Sequence, residues 1–390
     1  MTALVIRGGS VCLDSTTSNA DVIVDGSRIA AVGQGGGGHT GPVVDASGCS
    51  VLPGFIDLQF NGALGVDLTS QPERVGEVAA YLVKCGVTSF MPTVISSPAP
   101  SMAHAITVMH EWSRQATTGS RSLGAHLEGP FLNPERAGAH PLRHLRPPSI
   151  AEASGWSSDT GVGMVTLAPE LPGALLLIEK LVANGVAVCA GHTAANADEL
   201  DAAVASGIRG VTHLFNAMGP ISARVPGPAG ATLADPGLIA GLIVDGLHVD
   251  TVMVRLAWRA LGPSRIALVT DAIAALGLGH GQYSVGDKSI VVDGTGARIA
   301  GPVSGGTVLA GSVLPFDAAV RNLMSYTGCA LLDASLSSST TPARLAGRGD
   351  IGRLAPGYKA DIVVLDASNQ VVVTIVEGRV EFDPEQRFSR

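Results

Sequence analysis

Between residues 54 and 271 the chain alternates eight short apolar, β-branched runs with helix-like stretches, and no other feature limits its fold as tightly. The runs lie at 54–60, 87–92, 123–128, 162–168, 186–191, 209–213, 240–245 and 266–271. Helices are expected at 72–85, 101–115, 171–184, 195–206, 250–261 and 313–325. A strand followed by a helix returns to a parallel neighbour, so the alternation belongs to the parallel α/β folds, and eight strands are the number that closes a TIM-like (β/α)8 barrel. The rival is a doubly wound open sheet, whose mark is a Gly-rich turn from strand to helix. Here the Gly-rich stretch Gly33-Gln-Gly-Gly-Gly-Gly-His39 lacks a phosphate-loop lysine and precedes no helix, so it reads as the tip of a hairpin.

Both ends of the chain differ from this middle. Leu4-Val-Ile, Ala20-Asp-Val-Ile-Val before an Asp25-Gly26 turn, Arg28-Ile-Ala-Ala-Val and Val43-Val-Asp are short strands, as are Ala360-Asp-Ile-Val-Val-Leu-Asp and Val371-Val-Val-Thr-Ile-Val. Neither end has enough strands for a stable sheet alone. The economical arrangement is one small β-sandwich domain formed by both termini, residues 1–52 with 344–390, beside a barrel of residues 53–343. Within the barrel, 278–306 reads as a β-hairpin insertion, from Tyr283-Ser-Val and Ser289-Ile-Val-Val-Asp-Gly.

Composition removes several classes of function. With 25 Lys and Arg against 33 Asp and Glu, the formal charge of −8 is the wrong sign for a broad nucleic-acid surface. The longest uncharged run, Cys85 to His110, holds Pro92, Pro98 and Pro100 and cannot span a membrane as a helix. The opening Met1-Thr-Ala-Leu-Val-Ile resembles a first strand rather than a signal peptide, and a cytoplasmic protein is expected. Five scattered cysteines, Cys12, Cys49, Cys85, Cys189 and Cys329, form no Cys-x-x-Cys pair, which suits reduced, mostly buried thiols.

Polar residues gather at the carboxyl ends of the expected strands: Gln59 and Asn61 on the first, Glu128 on the third, His192 after the fifth, His213 on the sixth and Asp271 on the eighth. In a barrel those ends share one mouth, where active sites are built. One carboxylate and two imidazoles suit a zinc-like divalent ion with an open position. A single strand-end histidine is in most proteins an ordinary hydrogen-bonded residue; three such positions plus an aspartate make a site.

The segments Leu52-Pro-Gly-Phe-Ile-Asp-Leu-Gln-Phe-Asn-Gly, His126-Leu-Glu-Gly-Pro-Phe-Leu-Asn, Ala190-Gly-His-Thr, Thr212-His-Leu-Phe-Asn-Ala-Met, Val244-Asp-Gly-Leu-His-Val-Asp and Leu268-Val-Thr-Asp-Ala resemble the N-acetylglucosamine-6-phosphate deacetylases of the amidohydrolase superfamily. The resemblance implies that Glu128, His192 and His213 hold the metal and that Asp271 is the general acid and base. It implies that His140 polarises the carbonyl, and that Ala139, Asn216, Ala217, His248 and the loop Leu309-Ala-Gly311 contact the sugar phosphate. Arg224 is its phosphate-binding position, reached from the neighbouring subunit of a homodimer. His144 reads as a solvated loop residue.

Many amidohydrolases carry His-x-His on the first strand, where period two places both imidazoles on one face. Gln59 and Asn61 stand there instead, and neutral amides are poor zinc ligands, so these are vestigial second-metal positions. The four lysines, Lys84, Lys180, Lys288 and Lys359, end no expected strand, which argues against a bridging carboxylated lysine. One divalent ion, zinc by its donors, is expected, and the resemblance implies hydrolysis of N-acetylglucosamine 6-phosphate to glucosamine 6-phosphate and acetate. The galactosamine epimer, or a barrel that kept its fold and lost its chemistry, are the alternatives; a cyclic-amide hydrolase would call for the missing histidine pair and lysine.

Overall fold

The computed structural model describes residues 4–34, 41–115, 118–285, 288–294, 296–300 and 309–389. The Gly-rich positions 35–39 and the last part of the expected insertion, 301–306, lie outside the described residues.

The eight apolar runs form the staves of a parallel barrel: Phe55–Phe60, Val87–Ile95, Ala125–Glu128, Val162–Leu167, Ala187–Ala190, Gly210–Val211, Ile239–Leu242 and Ile266–Leu268. Each pairs in parallel with the next in chain order. The ring closes between first and last, where the Asp271 amide donates to Gln59 O at 3.0 Å and the Asn61 amide to Ala272 O at 2.8 Å. Asp57, fully buried, reinforces the closure by accepting from the Thr270 hydroxyl at 2.6 Å. The sixth and eighth strands stop before His213 and Asp271, because those residues leave the extended region, at φ 31° and 49°.

Ile56, Leu58, Met91, Met164, Ile239, Ala267 and Val269 belong to one buried cluster with Ala343, Leu345 and Ile351. The helix Thr341–Leu345 therefore packs with the barrel, and it is Leu354 that next joins the core of the terminal sheet. The expected helices are present, and Gly227–Ala234 adds one that was not foreseen from its Gly and Pro content. Pro228 lies in its first turn, where a missing N–H leaves no bond unmade. The insertion is a three-stranded antiparallel sheet, Gly281–Val285, Lys288–Asp293 and Gly296–Ile299, not a hairpin; the third strand runs back along the second, with Gly296 opposite Asp293.

Strands from both termini form one nine-stranded sheet with its own core. Its join is the antiparallel pairing of Ser50–Pro53 with Ile362–Leu365, residues some three hundred positions apart. The first strand, Leu4–Cys12, pairs with Val43–Asp45 over its first half and with Ser50–Pro53 over its second, so the sheet forks at Gly8 and Gly9. A Cβ at Gly9 would meet Val51 Cγ2 at 2.6 Å. Gly54 then carries the chain into the barrel where a Cβ would lie 2.2 Å from the Thr88 side chain, which accounts for the glycine of Pro-Gly-Phe. All five cysteines are free, and burial pushes the Cys85 and Cys189 thiols up to about 12. No helix among the described residues is long and apolar enough to cross a membrane.

Candidate active site

Glu128 ends the third strand, buried, and its carboxylate gathers the site. Oε1 lies 3.1 Å from His192 Nε2 and 2.9 Å from His213 Nε2, and the two imidazole nitrogens are 3.1 Å apart. Burial opposes a charge on Glu128, but the imidazoles of His140, His192 and His213 that surround it outweigh burial and hold the carboxyl well below the usual carboxylate range. Burial pushes His192 down to about 4, with the nearby His140 adding to it. For His213 burial acts downward too, yet its hydrogen bond to Glu128 prevails and the pKa is raised.

These residues fit a divalent cation. His192 Nδ1 faces the Arg136 carbonyl at 2.8 Å, which keeps a proton on Nδ1 and leaves the Nε2 lone pair for a cation held beside Glu128. Two imidazole nitrogens and one carboxylate oxygen within about 3 Å are a zinc-type donor set with room for a fourth partner. His140, Glu128 and His192 also form a group whose ligating atoms lie within 4.8 Å of one another.

The backbone aims these side chains. His192, His213 and Asp271 all sit at positive φ, 49°, 31° and 49°, a region that costs residues other than glycine on the order of 1–3 kcal/mol and that collects at functional sites. Main-chain bonds hold them there: Asn133 N to His192 O at 3.0 Å, Asn216 N to His213 O at 2.9 Å and Ser312 N to Asp271 O at 2.8 Å. Glu170 braces the segment after His192, accepting from the Ala194 amide at 2.7 Å and from the Thr193 hydroxyl at 2.5 Å.

Asp271 is half-buried; burial and then the Glu128 charge push its carboxyl up to about 6. The Asn61 amide donates to its Oδ1 at 2.7 Å, while Gln59 Nε2 donates to Glu128 Oε1 at 3.0 Å. At the first strand, therefore, two amide donors orient the two carboxylates. Asn61 Oδ1 is left buried without a partner.

A cavity of about 550 Å³ opens over this cluster. Asn61, Glu128, Ala139, His140, His192, His213, Asn216, Ala217, His248, Asp271, Leu309, Ala310 and Gly311 all line it, whereas Gln59 lies beneath. Arg224 does not line it and is exposed, on a loop that is exposed from 221 to 226. His248 is held by Asp245 Oδ2 at 2.7 Å, a pairing that outweighs burial and lowers the Asp245 pKa.

His144, expected as a solvated loop residue, is half-buried on the loop after the third strand and lines the cavity beside Arg143. Their only sequence signal is proximity to His140. His126, two residues before Glu128, is a structural histidine: its ring nitrogens meet Leu58 O at 2.9 Å and Thr166 Oγ1 at 2.7 Å, and burial pushes it down to about 4.

Residues 50–380 match the model of the amidohydrolase family. The human N-acetylglucosamine-6-phosphate deacetylase is 40% identical over 350 residues, covering 86% of this chain and 84% of the relative. The Bacillus subtilis enzyme of that name is 34% identical over 339 residues, 85% and 84% of the two chains. A mutant of the Mycobacterium smegmatis deacetylase, solved in complex with N-acetyl-D-glucosamine-6-phosphate, superposes with a TM-score of 0.90 at 30% identity, covering 98% of this chain and 100% of the other. The Thermotoga maritima deacetylase gives 0.86 at 31% identity, over 97% and 99%. The chain belongs to the amidohydrolase family, among its N-acetylglucosamine-6-phosphate deacetylases.

Proposed function

We propose that the protein hydrolyses N-acetyl-D-glucosamine 6-phosphate to D-glucosamine 6-phosphate and acetate, a step of amino-sugar catabolism and cell-wall recycling. The observation that carries this reading is the convergence of Glu128, His192 and His213 on one point beside Asp271, in a cavity sized for a small ligand, in a chain that matches deacetylases over most of its length. Glu128, His192 and His213 would hold one divalent ion, zinc by its donors, which when bound supplies a Lewis acid and makes water a nucleophile near neutral pH.

Asp271 takes a proton from the attacking water and returns it to the departing sugar nitrogen, so one carboxylate serves both halves of the reaction. Its Oδ1 is engaged by Asn61, which leaves Oδ2 for the proton. His140 donates to the acyl oxygen as that oxygen gains charge. Ala139, Asn216, Ala217, His248 and the 309–311 loop surround the sugar phosphate. Arg224 suits the phosphate through its planar fork of donors. In its own subunit it points outward, flanked by the exposed Ile221 and Val225, which supports a homodimer in which it completes the neighbouring site. A dianionic sugar does not cross membranes unaided, which fits work in the cytoplasm.

Acetate release on N-acetylglucosamine 6-phosphate, its galactosamine epimer and unphosphorylated N-acetylglucosamine, together with zinc analysis, tests the reading. The first is expected to be fastest by far. Faster release from the epimer would reassign the substrate, and no release from any would leave a barrel without this chemistry. Arg224→Ala should raise KM for the phosphorylated sugar about 10- to 100-fold, the worth of a charge-assisted hydrogen bond. Mixed dimers of Arg224→Ala with Asp271→Asn should regain activity, since one site per dimer is then whole; no recovery would refute the shared site.

A further inference from the structure

By distance, His140 could play either of two parts. Its Nε2 lies 3.8 Å from Glu128 Oε2, within reach of the point where His192 and His213 meet. It could be a third imidazole on the cation, or the donor to the acyl oxygen. The parts need opposite tautomers: a ligand presents a lone pair on Nε2, a donor presents a proton there.

The far edge of the ring decides between them. His140 Nδ1 receives the Ser96 main-chain amide at 3.3 Å and lies 2.9 Å from the Ser96 hydroxyl. A hydroxyl can rotate to suit either tautomer, but an amide N–H only donates, so Nδ1 must carry the lone pair. The one proton of the neutral ring then sits on Nε2. His192 is arranged the other way, with its Nδ1 against the Arg136 carbonyl, which only accepts. Two neighbouring imidazoles, 4.5 Å apart between ring centres, are thus wired by the backbone into opposite roles.

The seat of Ser96 is built for this. The residue directly follows the second strand, is 1% exposed and lines the cavity. Gly129, next to Glu128, makes the space: a Cβ there would lie 2.2 Å from Ser96 Oγ. We infer that Ser96 is a positioning residue that fixes His140 in the Nε2–H tautomer, making it a hydrogen-bond donor to the reacting carbonyl and keeping it off the metal. The identity of that carbonyl rests on the deacetylase reading; the tautomer does not.

The test is a long-range proton–nitrogen correlation spectrum of the zinc-loaded, 15N-histidine-labelled enzyme without substrate, with His140 assigned by the signals lost in His140→Gln. The expected result is a neutral His140 protonated on Nε2 alone, beside His192 bound to metal through Nε2. A proton on Nδ1, or metal-bound shifts for His140 Nε2, overturns the inference. Ser96→Ala keeps the amide but loses the hydroxyl; the Nε2–H tautomer should persist while kcat falls about 10-fold at unchanged zinc content, as loss of an orienting partner does. Ser96→Thr should restore kcat. A proton on His140 Nδ1 in Ser96→Ala would overturn the assignment of the tautomer to the amide, and an unchanged kcat would overturn the positioning role of the hydroxyl. Failure of the wild-type enzyme to release acetate would instead strike the deacetylase reading and leave the spectrum untouched.

Discussion

Two buried charge clusters among the described residues differ in how their charges are matched. Where the barrel meets the terminal sheet, Arg121 contacts Asp361 at 2.6 Å and Glu377 at 3.2 Å, and Glu377 also pairs with Lys359. Each acid there has a cation and each cation an acid. At the barrel mouth Glu128 faces three imidazoles, one of them pushed down to about 4, while Asp271 is pushed up to about 6. Orphaned atoms occur at both, Arg121 Nε at the first and Asn61 Oδ1 and His213 Nδ1 at the mouth, so it is the matching of charges that separates the two. A buried charge cluster whose partners are all protein groups holds the fold together; one that lacks a cation is shaped for a ligand. Backbone strain divides the same way. Asn369 and Glu377 reach positive φ in turns between strands of the terminal sheet, whereas His192, His213 and Asp271 do so at the mouth itself.

The contrast can be broken most sharply at Asp271. Asp271→Asn should cut acetate release by about 10³-fold, the middle of the range for a proton carrier, with zinc content unchanged. Retained turnover would show that the mouth's unpaired carboxylate is not the proton carrier. In the wild type, activity should fall as pH drops below the Asp271 pKa, at about 6 or lower since a bound cation favours the charged form, because only the ionised carboxylate accepts a proton.

Next is removal of metal. Chelation should lower the melting temperature and added zinc restore it, by about 4 kcal/mol when the ion exceeds its Kd a thousandfold. A melting curve indifferent to chelator would mean that the mouth is already complete. Arg121→Ala should then cost about 3 kcal/mol in denaturant unfolding, because Asp361 is left buried and unpaired, with kcat within about twofold. A comparable loss of kcat without loss of stability would erase the distinction between the two clusters.

The contrast extends to Asp57, whose carboxyl burial pushes up to about 7. A raised carboxyl pKa means that the folded state holds its proton longer than the unfolded chain. Its stabilising contribution is thus full below about 4 and lost as pH rises through about 7. Relative to wild type, Asp57→Asn should gain about 1.4 kcal/mol of stability per pH unit across that window and level off above it. A flat difference would mean that Asp57 is ionised across the whole window.

Eight strands were legible because β-branched runs of the right length are a local property, and the barrel topology that follows brings Glu128, His192, His213 and Asp271 to one mouth. The helix Gly227–Ala234 was hidden because its glycines and prolines read as loop until packing pays for their ordering. The third strand of the insertion rests on an antiparallel pairing of Gly296–Ile299 with the strand before it that the alternating pattern does not specify. Arg143 and His144 at the rim, and Arg224 facing away from it, follow from how loops fold over the mouth.

What the sequence determined by itself was which residue types stand at strand ends and that one imidazole pair and one carboxylate could share an ion. Only the tertiary structure decided where the protons go. Ser96 and His140 are 44 positions apart, and His192 and Arg136 are 56 apart, so no local pattern couples them. Which ring nitrogen meets an amide and which a carbonyl is a property of folded distances. Those contacts, rather than the presence of histidine, separate a metal ligand from a hydrogen-bond donor.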